Sequence, residues 1–312
     1  MFIQKNKATG RIIINLFGLR LKFHLPIKDK FANEKFANLL YELADSRTLA
    51  NVKLPKILNL YDSLYSLINS NKSVARFGDG EFKIIMGEGI NFQKYDKNLA
   101  ERLEEVLSNK LDNLFVGLPD VFGYCKNNYF RRVMVSCRDY LYKFINFEKT
   151  YIDAMLTRQN EFATKEQGLD YYNNIKKIWQ DKDLVIVEGA GSRLGIGNDL
   201  FANAKSIKRV ICPIKDAFDR YDEILDECKT CEKDKLFIIA LGPTATVLAY
   251  DLAKNGYRAI DAGHIDTMYE WFLRGGKCSI ENKIVFNEER KSNKIPHCSD
   301  ENYYKQIIAK IY

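Results

Sequence analysis

Apolar residues set two rhythms along this chain. Between 34 and 71, "EKFANLLYELADSRTL" and "LPKILNLYDSLYSLINSN" repeat them at intervals of three and four, as on one face of a helix. "NLAERLEEVLSNKL", 98–111, does the same through Leu99, Leu103, Val106 and Leu107, and 127–145 and "GLDYYNNIKKIW" continue the helical rhythm. Short unbroken apolar runs mark strands instead: "SVARFG", "NLFVGLPD" closed by Gly117 and Pro119, and "TYIDAMLTR", 150–158. From 183 the two alternate. "DLVIVEG", "RVICPI", "KLFIIALG" and "YRAIDAG" read as strands, and "SRLGIGNDLFANA", "AFDRYDEILDEC" and "PTATVLAYDLAKNG" as the starts of helices. That alternation predicts βαβ units in an α/β fold: a doubly wound, mainly parallel sheet with N-terminal helical additions. No repeat, low-complexity tract or Pro/Ser-rich linker divides it, so residues 41–312 are expected to form one domain behind a basic segment, 1–40.

Charge alters the reading at the N-terminus. The first thirty residues hold seven Lys or Arg and one acid. "IIINLFGLRLKF", 12–23, is interrupted by Arg20 and Lys22 and falls short of the ~20 apolar residues a bilayer span needs. Basic residues interleaved with Ile, Leu and Phe suit either the surface of an anionic membrane or an edge strand or hairpin, and both readings stay open. The net charge of +7 suits phosphates, nucleotides or an anionic membrane as partners, or simply a Lys-rich solvated surface. Nucleic acid is not expected, because no compact basic stripe is interleaved with aromatics. Seven cysteines, an odd number in a long chain without a signal-peptide pattern, indicate reduced thiols and a cytoplasmic setting, with any membrane contact peripheral, at the inner face. Cys228 and Cys231 form a lone CxxC. Cys278, Cys298, His264 and His297 supply no second close pair, so a surface turn is expected rather than structural zinc.

Sites in parallel sheets lie at the carboxyl ends of strands. Five such loops are rich in Gly, acids, Arg, His or Thr: 76–81, 117–124, 188–198, 241–246 and 261–270. In "VEGAGSRLGIGND", Gly189, Gly191, Gly195 and Gly197 stand between a strand and an expected helix, without strict GxGxxG spacing. Glycines let backbone N–H groups approach a phosphate, and Ser192 and Arg193 add a hydroxyl and a guanidinium suited to diphosphate oxygens. The plain alternative is a tight turn with no ligand. "ALGPTATVLAYDL" repeats the logic: Gly242 ends a strand, Pro243 fits a first helical turn, and Thr244 and Thr246 offer hydroxyls that helix capping would also explain. "DAGHIDTMYEW" gathers Asp261, His264, Asp266 and Glu270, which suits general-base work or metal ligation, against a reading as ordinary surface acids. In "RFGDGEF", Asp79 and Glu81 in a flexible glycine turn would aim at one hard cation, Mn2+ or Mg2+, that bridges to a diphosphate on the glycine loop. The alternative is a solvated Asp-Gly turn.

Taken together, "RFGDGEF" (76–82), "LP" (118–119), "TR" (157–158), "EGxxSRLGxGNDLF" (188–201, including Asn198), "LGPTATVLAYDLA" (241–253) and "GHIDxxYEW" (263–271) resemble the GT-D-type glycosyltransferases, which have a Rossmann-like fold and a DxE metal motif. The resemblance implies a nucleotide-sugar donor, a UDP-sugar such as UDP-glucose. It implies a divalent metal at Asp79 and Glu81, and transfer to a glycan or glycoprotein acceptor in bacterial surface polysaccharide or glycoprotein assembly. In that reading the donor is held by Gly189, Gly191, Ser192, Arg193, Gly195, Gly197, Asn198, Gly242, Pro243, Thr244 and Thr246. Arg76 pairs with the acids or contacts phosphate, and Asp266, His264 and Glu270 are candidate bases for an inverting reaction. "KDAF" (215–218) departs from the pattern, with Asp216 where Asn is expected. A non-catalytic nucleotide-binding module would need the glycine loops but not the acids. An NAD(P)-dependent oxidoreductase would need a different glycine spacing.

Overall fold

The unbroken apolar runs past residue 183 become central strands of a nine-stranded sheet that is parallel throughout. The structure, a computed structural model, describes residues 2–6, 11–16, 19–24, 36–44, 53–120, 138, 140–276, 283 and 297–312. The chain divides into two units, one of 1–54 with 121–143, the other of 55–120 with 144–312. In the first, β1 (Phe2–Asn6), β2 (Arg11–Leu16) and β3 (Leu19–His24) form an antiparallel meander in which Ile14 pairs with both Ile3 and Leu21; a helix, α1, covers 36–44. Residues 12–23 thus fall within the β2–β3 hairpin. Of the helix expected over 127–145, only 138 and 140–141 are helical among the described residues; 127–137 and 139 lie outside them.

The second unit carries the sheet and every candidate site residue. Its strands are β4 (Lys56–Ile57), β5 (Ser73–Arg76), β6 (Leu114–Leu118), β7 (Thr150–Asp153), β8 (Asp183–Gly189), β9 (Ser206–Cys212), β10 (Leu236–Ala240), β11 (Arg258–Asp261) and β12 (Ile307–Lys310), in the order β12-β9-β8-β10-β11-β5-β6-β7-β4. Its helices are α2 (Leu60–Ile68), α3 (Asp79–Ile85), α4 (Lys97–Ser108), α5 (Lys165–Lys176), α6 (Tyr221–Lys229), α7 (Pro243–Lys254), α8 (Ile265–Leu273) and α9 (Glu301–Gln306). Alternate residues of a strand point to opposite faces. Leu184, Ile186 and Ile238 enter one core with Leu64, Tyr171, Tyr172 and Trp179, while Val185, Val187, Phe237 and Ile239 are buried on the other face. Both faces are covered, which is why these strands read as apolar runs rather than alternations. On the second face α7 packs against β5 and β11, and α4 and α6 pack against it. It is accordingly buried from Pro243 to Ala253.

The chain steps outward from β8 to β9, then returns to place β10 on the other side of β8. A ligand crevice forms at the carboxyl ends of strands where the order reverses in this way. Three local expectations need correcting, and one strand was not foreseen. The "DGE" turn is the first turn of α3, with Gly78 as its N-cap. No helix follows β8: residues 190–203 run through successive turns, with positive φ at Gly191, Arg193, Gly195 and Gly197. Residues 54–59, expected within a helix, include β4, and α2 starts only after Asn59, whose side chain caps Asp62 N–H at 2.9 Å. The apolar pair at 307–308 opens the edge strand β12.

Candidate functional site at the carboxyl edge of the sheet

The sheet edge brings Arg76, Glu81, Thr246, Asp261 and Gly263 together. Arg76 ends β5. Its Nη1 donates to the carbonyl of Ala154 at 3.2 Å, and its Nη2 lies 3.9 Å from Asp261 Oδ1 at the end of β11. A Cβ at Gly263, where φ is +49°, would overlap that guanidinium, so glycine is required there on two counts. Thr246 Oγ1 ties the cluster to α7, donating to the Arg76 carbonyl at 2.8 Å and lying 3.2 Å from Asp261 Oδ2. Glu81 bends back to accept the Gly78 N–H at 2.6 Å. Burial pushes its carboxyl up to about 7, the negative charge of Asp261 adds to this, and Arg76 offsets only part. Burial also pushes Asp261 up, against the pull of Arg76. Among the described residues Arg76 Nε has no hydrogen-bond partner.

Asp79 and Glu81 leave α3 on different sides, about 200° apart at ~100° per residue. The Asp79 carboxylate faces Lys83 at 3.4 Å, and Glu81 faces the Arg76 cluster. Two enclosed acids, Glu81 and Asp261, share one guanidinium, which leaves negative charge under-compensated. Hard oxygen donors in that state fit Mg2+ or Mn2+, cations held by one or two carboxylates and completed by phosphate oxygens.

The glycine loop lies three strand positions away, β8 to β5, or about 14 Å at ~4.8 Å per strand. The loop is fixed by side chains instead of by a helix. Glu188, fully buried at the end of β8, accepts the Leu194 N–H at 2.7 Å; Asp266 accepts the Gly195 N–H at 2.8 Å. Asn198 Nδ2 reaches both Asp266 (2.9 Å) and Glu270 (2.8 Å). Lys283 Nζ sits 2.7 Å from Asp266 and 3.4 Å from Glu270, with Arg274 also on Glu270 at 3.1 Å. Among the described residues, the N–H groups of Gly191 and Gly197 take no partner. Gly197 is exposed and Gly191 buried beside the half-buried Ser192, so of the two the Gly197 N–H is the one that faces solvent. Any phosphate contact here comes from backbone amides without a helix dipole behind them.

The predicted bases separate accordingly. Asp266 and Glu270 are buried and committed to holding the loop. His264 is half-buried at the N-cap of α8, next to Gly263. Thr244 and Thr246 are fully buried, Thr244 lying 3.3 Å from Gln93 and Thr246 in the Arg76 cluster. Gly242 adopts φ +55° against the Phe92 ring, before Pro243 at the first turn of α7. Asp216 sits at φ 52°, ψ 40°, a left-handed conformation that Asn and Asp both tolerate, and its carboxylate accepts the Lys94 N–H at 2.6 Å. Either residue type can do that work, so the departure from Asn keeps the local geometry. Cys228 is buried and Cys231 half-buried, both free thiols. Sequence reasoning missed Lys283, Tyr303 and Arg209. A charged residue at the head of the buried run "RVICPI" was the signal for Arg209.

A parallel α/β sheet with a glycine loop, an acid–arginine cluster and a helix cap along one carboxyl edge defines the class: a doubly wound α/β fold with its crevice at a topological switch. The glycosyltransferase GT-D fold family model matches residues 74–289, and the chain belongs to that family. It is 38% identical over 271 residues to "Probable glycosyl transferase Gly" of Streptococcus gordonii, and 35% identical over 265 residues to "Glycosyltransferase GlyD" of Streptococcus pneumoniae. Each match covers 82% of this chain but only 39% and 32%, respectively, of the relative's length. Among solved structures, a glycosyltransferase from Streptococcus sanguinis of the domain of unknown function 1792 superposes with a TM-score of 0.77 at 36% identity, over 83% of this chain and all of that one. A second structure of that domain, described as having a distinct glycosyltransferase fold, gives 0.76 at 38%, over 89% and 100%. No described helix is long and apolar enough to cross a membrane.

Proposed function

We propose that this chain transfers a hexose from a nucleotide-sugar, a UDP-sugar such as UDP-glucose, to a glycan or glycoprotein acceptor in bacterial surface polysaccharide or glycoprotein assembly. The observation that carries the reading is the pairing, on one sheet edge, of an under-compensated acid cluster with a loop offering free amides. In this reading the Gly191 and Gly197 N–H groups and the Ser192 hydroxyl donate to the diphosphate oxygens. Glu81 with Asp261 beside it, and Asp79 once Lys83 yields it, would hold a Mn2+ or Mg2+ ion. The chemistry such an ion supplies is neutralisation of the charge that builds on the leaving diphosphate. Arg76, held by Ala154 and Asp261, favours the charged form of Glu81, which the Gly78 N–H orients. His264, the one candidate base with an accessible side chain, accepts the acceptor hydroxyl proton if the anomeric configuration inverts. Asp266 and Glu270 orient the loop.

The test is a donor screen: the protein with Mn2+ and a panel of nucleotide-sugars, read as free nucleotide released. Release above background from one donor supports the reading; no release from any donor sinks it. Asp79→Asn combined with Glu81→Gln is expected to lower release at least ~100-fold, a loss of about 2.7 kcal/mol of transition-state stabilisation, with the circular dichroism spectrum unchanged. Normal turnover by that double variant would reject the site.

A further inference from the structure

The glycine loop has a back wall part of which, the C-terminal segment, lies beyond the family match that ends at residue 289. Ala190 and Ile196 of the loop, Ile211 and Ile214 from the end of β9, and Cys298, Tyr303 and Ile307 of the C-terminal segment form an apolar cluster distinct from the main core. Beside it lies Arg209, a fully buried guanidinium whose three nitrogens are all committed. Nη1 meets Glu188 Oε1 at 2.6 Å, Nη2 the Leu194 carbonyl at 2.9 Å, and Nε the Gln306 Oε1 at 2.7 Å. The Tyr303 ring receives two guanidinium groups, Arg209 at 5.2 Å and Arg193 at 5.6 Å from its centroid. Asp300 fixes the Tyr303 backbone by capping α9, accepting the N–H groups of Asn302 at 2.8 Å and Tyr303 at 3.2 Å.

We propose that Tyr303 and Gln306, acting through Arg209 and Arg193, are positioning residues for the glycine loop, so that the C-terminal segment 298–307 sets the pose of the donor amides from behind. The functional half of this rests on the reading that the loop holds the donor diphosphate. A ring shared by two guanidinium groups attracts both, and more strongly where water is excluded. Arg193 occupies a left-handed conformation at φ +51°, a strain that outside contacts must hold in place. Gln306 closes the third side of Arg209, whose other two sides grip Glu188 at the start of the loop and Leu194 at its middle.

The experiment uses the full chain, wild type against Tyr303→Leu, Tyr303→Phe and Gln306→Ala. Hydrogen exchange is read at the Leu194 and Gly195 amides, and UDP affinity is read by calorimetry with Mn2+ present. Tyr303→Leu is expected to speed exchange at those two amides and to weaken UDP, each about tenfold, with β8 and β10 still protected. Tyr303→Phe keeps the ring but loses the hydroxyl that meets Arg193, and is expected to fall between wild type and Tyr303→Leu. Wild-type exchange at the loop in Tyr303→Leu overturns the proposal, as do equal losses in both tyrosine variants. Should Tyr303→Leu not fold, Gln306→Ala decides: faster loop exchange supports the proposal and unchanged exchange overturns it. Loop exchange that responds in a protein whose wild type binds no UDP keeps the positioning role and removes the donor reading.

Discussion

Gly263 shows how one backbone position governs a charged side chain. Its φ of +49° costs any L-residue about 1–2 kcal/mol, and its missing Cβ is the space the Arg76 guanidinium occupies. Gly263→Ala is therefore expected to lower stability by about 1–2 kcal/mol, read from denaturant midpoints, and to displace Arg76 from between Asp261 and Ala154. Nucleotide release should fall much further than that stability loss explains. Activity that merely tracks the folded fraction would separate Gly263 from the site. The sequence showed Gly263 and Arg76 as members of two motifs 187 positions apart; their contact arises from the pairing of β11 with β5 through Ile260 and Val74. A pairing between distant strands leaves no local pattern, so the residues were legible and their meeting was not.

At the scale of elements, legibility followed burial. Strands covered on both faces, such as β8 and β10, announce themselves as apolar runs, and α4 carries an amphipathic stripe. The stretch 190–203 misled because "NDLFANA" has a helical rhythm, yet the positive-φ positions before it and the side-chain ties from Glu188 and Asp266 hold it in turns. The enclosure of Asp266 and Glu270 was hidden for a related reason. Acids four apart on α8 read as surface or catalytic groups, and only the fold supplies Asn198, 68 residues from Asp266, and buried Lys283 to enclose them. Lys283→Met tests this enclosure. It leaves two buried carboxylates with Asn198 and the half-exposed Arg274 as side-chain partners, and removing one partner of a buried ion pair costs about 3–5 kcal/mol. A loss of that size in chemical denaturation, with weaker UDP binding as the 195–198 segment loosens, is the expected result. A loss under about 0.5 kcal/mol, the range of ordinary surface substitutions, would mean that Lys283 is not holding the pair.

For the whole molecule, the parallel sheet puts every candidate group on one edge, so a bound ligand links elements that lie far apart in sequence. The chain reaches that edge from β5, β8, β10 and β11, and a molecule spanning about 14 Å touches the ends of both β5 and β8. Such a ligand binds the folded unit and not the unfolded chain, so by mass action it stabilises by about 2.7 kcal/mol at one hundred times its dissociation constant. At about 2–4 °C per kcal/mol, UDP with Mn2+ is expected to raise the melting temperature of the unit of 55–120 and 144–312 by roughly 5–10 °C. Chelation separates the two readings of the acid cluster. If Glu81 and Asp79 hold a cation that also meets the diphosphate, EDTA should remove most of the shift, and the Asp79→Asn, Glu81→Gln variant should show only the residue that EDTA leaves. If the loop amides alone bind UDP, as a non-catalytic module would, the shift survives EDTA unchanged. In that case the enclosed acids beside Arg76 must be explained by a role other than metal-assisted departure of the nucleotide.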